Sequence, residues 1–142
     1  MKKLIPMINE VGRHYGGKIT RKCDGKLSAF AFVKAGSEAG SVAATTAPTE
    51  QPIGTAMHDT DAKGDDVAIE LPGGSPGTKL AVAGGAISAL ARICAGEGGK
   101  AVALPSAGGT YFVVGRALTA ASADGDEIEF EGCVPYPVTV VE

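Results

Sequence analysis

The chain contains no tryptophan, only two histidines and three cysteines, and aromatic residues make up 5% of its 142 positions. Each scarcity removes a class of function. His14 and His58 are the only imidazoles, and no serine or cysteine stands in a recognisable nucleophile context, so a catalytic triad has no anchor. Cys23, Cys94 and Cys133 are odd in number, widely spaced and without a Cys-x-x-Cys pair. That pattern excludes a disulfide framework or zinc site and is expected of buried thiols in a protein folding in a reducing cytoplasm. Long apolar runs are also missing. The stretch Leu4 to Ile8 is interrupted by Pro6 and stops at Asn9-Glu10, so neither a secretory leader nor a membrane span is expected. No constellation argues for an enzyme, and no cofactor or metal is expected.

Glycine is plentiful, at 21 residues, and apolar content is delivered by Ala and Val more than by rings. This favours short strands and tight turns. At 142 residues the chain can bury roughly 68–70% of the surface its unfolded form exposes, enough for one domain without a staple.

The organising feature is a repeat. Ile53–Leu71, IGTAMHDTDAKGDDVAIEL, returns 61 positions later as Val114–Gly132, VGRALTAASADGDEIEFEG. Gly54 falls on Gly115, Ala56 on Ala117, Gly64 on Gly125, Asp65 on Asp126 and Glu70 on Glu131. Each copy reads as strand, turn, strand. Gly64 and Gly125 are the structural turn residues, supplying a positive φ, and Asp65 and Asp126 beside them can accept from nearby backbone amides. Glu127-Ile128-Glu129-Phe130-Glu131 alternates acid and apolar, as a strand with one wet face does, and Val67, Ile69 and Leu71 form the matching inward set.

Around this unit, Met1 to Gly17 is expected to be an arm and 18–142 a single β domain of two related halves, about 18–71 and 79–132, joined by Pro72 to Thr78. Applying the offset of 61 throughout places Lys79–Val82 on Lys18–Arg21 and Leu90–Ile93 on Ala29–Phe32, while Val102 meets Val42 after a one-residue slip. Lys18 to Lys22 is expected as a strand, Cys23-Asp24-Gly25-Lys26 as a hairpin turn, and Ser28 to Lys34 as the next strand with Phe30 and Phe32 on one inward face. Ala35 to Gln51 reads as a loop with a weak strand near Val42. In Ala86–Cys94, Ile87, Leu90, Ala91 and Cys94 also fit a helical stripe, so a helical turn leading into a strand is expected there. The tail from Val134, behind Pro135 and Pro137, suits an edge strand.

Two stretches imitate ligand sites. Asp59, Asp61, Asp65, Gly64 and Glu70 match a calcium loop, but Lys63 stands at its fifth position and a strand follows where a helix is required. Gly73 to Lys79, GGSPGTK, imitates a phosphate loop with its last two residues reversed and no helix behind it. Charge is unevenly spread: residues 1–34 hold eight basic side chains against two acidic, net +6, and the remainder five against fourteen, net −9. The basic residues are too sparse for a nucleic-acid surface; contact with an acidic protein face and a solvated face with no partner are the two readings that remain, with comparable weight.

The phrases Ile53-Gly54-x-Ala56-Met57, Ala62-x-Gly64-Asp65, LPGGSPGTKLAVAGGAI (Leu71–Ile87), GGKAVALP (Gly98–Pro105) and VGRALTAASADGDEIEF (Val114–Phe130) resemble a family of small tailed-bacteriophage and prophage proteins that decorate or cement capsids. The similarity runs from about Ala29 to the C-terminus, and Met1–Gly17 departs from it. The resemblance implies a mainly all-β fold, a compact barrel or sandwich with internal duplication, at most one short helix and an extended N-terminal arm. It also implies a non-catalytic virion protein, made in the host bacterial cytoplasm and placed on the outer capsid surface. Its partners would be the major capsid protein of the shell and itself, as a homotrimer, with no nucleic acid or membrane. Lys2, Lys3, Leu4, Ile5, Met7, Ile8 and Arg13 are the residues expected to contact the shell or a neighbouring subunit. The alternative is a non-catalytic β-sandwich module that attaches to host-surface glycans or binds calcium through its loops.

Overall fold

The computed structural model describes residues 17–74 and 76–142, and among them the chain is almost entirely β. Strands β1 (Lys18–Cys23), β2 (Phe32–Ala35), β3 (Ser41–Ala44), β4 (Gly54–Ala56) and β5 (Asp66–Glu70) close a barrel in the order β1-β3-β2-β4-β5. Strands β6 (Lys79–Val82), β7 (Arg92–Ala95), β8 (Ala101–Ala103), β9 (Gly109–Ala117) and β10 (Glu127–Val140) form a second sheet in the order β6-β10-β9-β7-β8. The two halves pair corresponding strands in the same order. In the first, β1 and β3 pair in parallel and shut the barrel. In the second, the corresponding β6 and β8 ends meet at a single parallel bridge, Ala83 to Ala101. A short 3-10 turn, Glu97–Gly99, precedes β8.

Backbone hydrogen bonds repeat between the halves. Gly64 N donates to Cys23 O and Gly125 N to Ala83 O, both at 2.8 Å. Phe30 N reaches Ala56 O and Leu90 N reaches Ala117 O, both at 2.7 Å. Close approach explains one glycine pair: a Cβ on Gly54 would lie 2.3 Å from Glu70 O, and one on Gly115 would lie 2.1 Å from Glu131 O. Only a residue without a side chain lets these strands come together.

The register of the early strands differs from the constant offset of 61. Lys79 pairs with Phe130 as Ile19 pairs with Ile69, and Ala101 meets Ala83 as Val42 meets Cys23. Lys79 therefore corresponds to Ile19, not Lys18, Ala101 rather than Val102 corresponds to Val42, and Arg92 rather than Ile93 corresponds to Phe32, since Arg92 pairs with Arg116 as Phe32 pairs with Thr55. The consequence inverts hydropathy on β6, where Lys79 is buried and Leu80 is exposed.

Three local expectations give way. Cys23 to Lys26 is not a hairpin turn, because β1 pairs with β3 and β5 and never with β2, while Leu27 bridges Thr60. The strand expected over Ser28 to Lys34 begins only at Phe32; Phe30 sits in a left-handed turn, φ 66°, and is only partly buried. Ala86–Cys94 contains no helical turn. Ile87 bridges Ala121, Leu90 takes φ 66°, and the strand starts at Arg92. Tertiary pairing overrides the helical stripe because its residues lie in an extended-turn-extended path: the Ile87 amide donates to Ala121 O, the Leu90 amide to Ala117 O, and the Ala91 amide closes the turn on Ser88 O.

One cluster fills the first barrel, with Ile19, Cys23, Leu27, Val33, Val42, Ala56, Val67 and Ile69. The second half's cluster is richer in alanine, with Ala81, Ala83, Ala95, Ala101, Ala117 and Ala121 around Ile93, Ile128 and Phe130, and it takes in Phe32 from β2 of the first half. A third, smaller cluster lies where the long β9–β10 ribbon folds Tyr111, Val113, Val138 and Val140 over Cys94. The tail pairs with β9 alone beyond Gly132, so the segment bearing Pro135 and Pro137 is an edge, where a residue without an N–H is tolerated.

Candidate interaction surfaces

The two Asp-Gly turns are built alike. Gly64 and Gly125 lie at φ 93° and 94°. Asp65 Oδ2 accepts from the amides of Asp61 and Ala62 at 3.1 and 3.0 Å, and Asp126 Oδ2 from those of Ser122 and Ala123 at 2.8 and 3.0 Å. These amide bonds hold both carboxyls below the ordinary aspartate range, Ala62 contributing most at Asp65 and Ser122 at Asp126. The second strand of each unit is secured by a side chain at a matching position: His58 Nε2 accepts from Ala68 N at 3.3 Å where Thr119 Oγ1 accepts from Glu129 N at 2.9 Å.

Two of the acidic side chains of the calcium-like stretch are engaged in holding the fold. Asp59 Oδ1 accepts from Ala29 N at 2.7 Å, and Asp65 holds its own turn. Among the described residues no group of three or more His, Cys, Asp or Glu side chains is placed to hold a metal ion. In the phosphate-loop imitation, Lys79 is buried in β6. His58 Nδ1 lies 3.0 Å from Asp59 O, which with the Ala68 contact uses both ring nitrogens.

Lys2, Lys3, Leu4, Ile5, Met7, Ile8 and Arg13 lie outside the described residues. Part of the basic excess of the N-terminal region is answered within the chain, since Lys22 pairs with Asp66 at 2.8 Å and Lys34 with Glu50. Glu50 also accepts from Thr46 N and Ala47 N at 2.6 and 2.8 Å. Desolvation is the largest single influence on its carboxyl and raises it, but the Lys34 and Thr46 contacts with the two amides prevail and bring it down to about 2.

Among the described residues, the exposed large apolar side chains are Leu80, Leu90, Val134, Tyr136 and Val141. Leu90 was hard to place from periodicity, yet a signal was present: Ser28-Ala29-Phe30-Ala31 and Ser88-Ala89-Leu90-Ala91 share a spacing of 60, and both adopt the same left-handed turn. Val134 adjoins a small apolar cleft between the β5 end and the bulged part of β10, lined also by Ile53, Leu71, Pro72 and Pro135.

No protein-family model matches the chain, and no curated protein matches it in sequence. Among solved structures it is similar to the head fiber gp8.5 N base of bacteriophage phi29, with a TM-score of 0.63 and 19% identity, covering 88% of this chain and 97% of that one. The two share a fold.

Proposed function

We propose that this protein is a structural component of a bacteriophage head that binds the assembled shell, through the major capsid protein, and stabilises it from the outer surface. The observation that carries the reading is the likeness in fold to the phi29 head fiber base over nearly the whole of both chains. The resemblance of the turn and strand phrases to capsid decoration proteins points the same way.

The physics of such a role suits what the chain offers. Anything that binds an assembled shell and not its separated subunits stabilises assembly by mass action. The necessary surface is modest, since a standard interface takes roughly 800 Å² from each partner, and a closed cyclic trimer multiplies the contacts. In this reading the protein is non-catalytic, takes no cofactor and is made in the host cytoplasm, and residues Lys2 to Arg13 contribute to attachment.

The test is particle stability. Purified shells lacking this protein are compared with shells to which it has been added back, by thermal or mechanical rupture, and bound protein is followed by co-sedimentation. Added protein is expected to sediment with the shells and raise their rupture temperature. Equal stability with no co-sedimentation overturns the reading, and retention on a host-glycan panel would then favour a loop-borne attachment module.

A further inference from the structure

Strand β5 ends at Glu70, and the connector that follows runs beside β10 so closely that a Cβ on Gly132 would stand 2.5 Å from Pro72 O. Next to this contact lies the cleft of about 220 Å³ walled by Ile53, Leu71, Pro72, Val134, Pro135 and the connector glycines. Its walls carry no charged side chain, and Val134 is 71% exposed. The volume falls below the ~300 Å³ at which small-molecule sites begin, so it fits one or two aliphatic side chains better than a cofactor.

The chain itself enters at the rim of this cleft. Leu71 N donates to Gly17 O at 2.8 Å, and a Cβ on Gly74 would come within 3.1 Å of the Gly17 Cα. Sixteen residues precede Gly17, and the apolar ones are concentrated in Leu4, Ile5, Met7 and Ile8. Nine residue steps separate Ile8 from Gly17, a reach of up to roughly 30 Å, with Gly12 and Gly16 available for a reversal. A tether this short holds the apolar segment at an effective concentration in the millimolar range, which favours the chain's own segment over that of a second copy at ordinary protein concentrations.

We propose that in the free protein this cleft is the docking site of the chain's own Leu4–Ile8 segment. The proposal concerns the isolated protein and stands or falls independently of the shell-binding reading.

The experiment is disulfide trapping in the full-length chain. Ile5→Cys is combined with Ile53→Cys, or with Val134→Cys at an exposed position that leaves the core intact, in a Cys133→Ser background. The control pairs Ile5→Cys with Leu80→Cys, an exposed site on β6 that does not line the cleft. After exposure to oxidised glutathione, peptides are mapped by mass spectrometry. The expected result is an intrachain link from position 5 to position 53 or 134, formed at least ten times faster than the control link. Links between chains would overturn the proposal in favour of a second copy, and rates equal to the control would overturn it outright.

Discussion

Phe32 and Phe130 meet with ring centroids 5.6 Å apart and planes tilted by 53°, although one belongs to the first barrel and the other to the second half. Strand alternation explains how this is possible. On β2, Val33 faces the first barrel's own cluster and Phe32 faces away from it. On β7 the corresponding pair is Ile93, buried, and Arg92, exposed. An outward position that is solvated in one half is therefore the joint between halves in the other. The alanines of the second cluster leave the space that the Phe32 ring fills, so the second half completes its interior with a side chain it does not own.

Phe32→Ala is expected to cost about 3–5 kcal/mol, the range for emptying a buried phenylalanine site. Arg92→Ala at the corresponding exposed position is expected to stay within about 0.5 kcal/mol. Urea unfolding followed by circular dichroism measures both. Similar losses at the two positions would show that the joint does not depend on the ring.

Gly54 and Gly115 make a second matched pair. Alanine at either places a Cβ against a strand carbonyl, at 2.3 and 2.1 Å, where only backbone can yield. Each substitution is expected to lower stability by about 2 kcal/mol or more, in keeping with overpacking of a closed interior. Gly125→Ala has open space around its Cβ and is strained only by its φ of 94°, so about 1–2 kcal/mol is expected. A ranking with Gly125→Ala as the worst of the three would contradict the close-approach argument.

Much of the fold was legible because hydropathy and turn chemistry agreed. Ile128 and Phe130 alternate with glutamates, Val67 and Ile69 flank the small Ala68 between Asp66 and Glu70, and all four are buried. Where the sequence misled, burial and hydropathy had parted. Lys79 occupies the inward place and Leu80 the outward one, so the constant offset of 61, which lays Lys79 on Lys18, slips by one residue there. Phe30 and Phe32 alternate as one face of a strand should, but the left-handed turn at Phe30 separates them, and only Phe32 becomes core. Strand partners were not legible. Cys23-Asp24-Gly25-Lys26 carries hairpin chemistry, yet the Cys23 carbonyl accepts from Gly64 and the Asp24 amide donates to Val42, leaving no ladder for a hairpin. For the interaction surfaces, the Asp-Gly turns were visible from composition, whereas the cleft beside Val134 depends on the connector lying against the β10 bulge, which no local pattern encodes.

The thiols report on packing. All three cysteines are free; Cys23 and Cys94 are buried and Cys133 is half-buried. Burial pushes the Cys94 thiol up to about 11, with Arg92 pulling slightly the other way, and burial also raises Cys133. Cys23 Sγ donates to Ala62 O at 3.1 Å. Because the thiolate is the reactive form, an aromatic disulfide reagent at pH 8 is expected to label Cys133 first and slowly, and Cys94 only after unfolding. Rapid modification of Cys94 in native protein would mean that the ribbon of Tyr111, Val138 and Val140 does not stay closed over it.

Acid sensitivity follows from the carboxylates that hold turns. The folded carboxyl of Glu50 titrates at about 2 against an ordinary value of 4.5, so its contribution to stability is complete above pH 4.5 and is lost as pH falls from there through 2. Asp65 and Asp126 are also depressed and lose their contributions in the same direction, below the ordinary aspartate value of 3.8. Glu50→Gln removes the charge facing Lys34 and is expected to cost about 1.5–3 kcal/mol at pH 7, the range for a hydrogen bond involving a charged group. Near pH 2 the native carboxyl is about half protonated and the unfolded one almost fully so, and the difference between variant and wild type should shrink to a small fraction of its value at pH 7. Urea midpoints measured from pH 7 to pH 2 test this directly. Curves that remain parallel across that interval would show that Lys34 and the Thr46 and Ala47 amides do not hold the Glu50 charge.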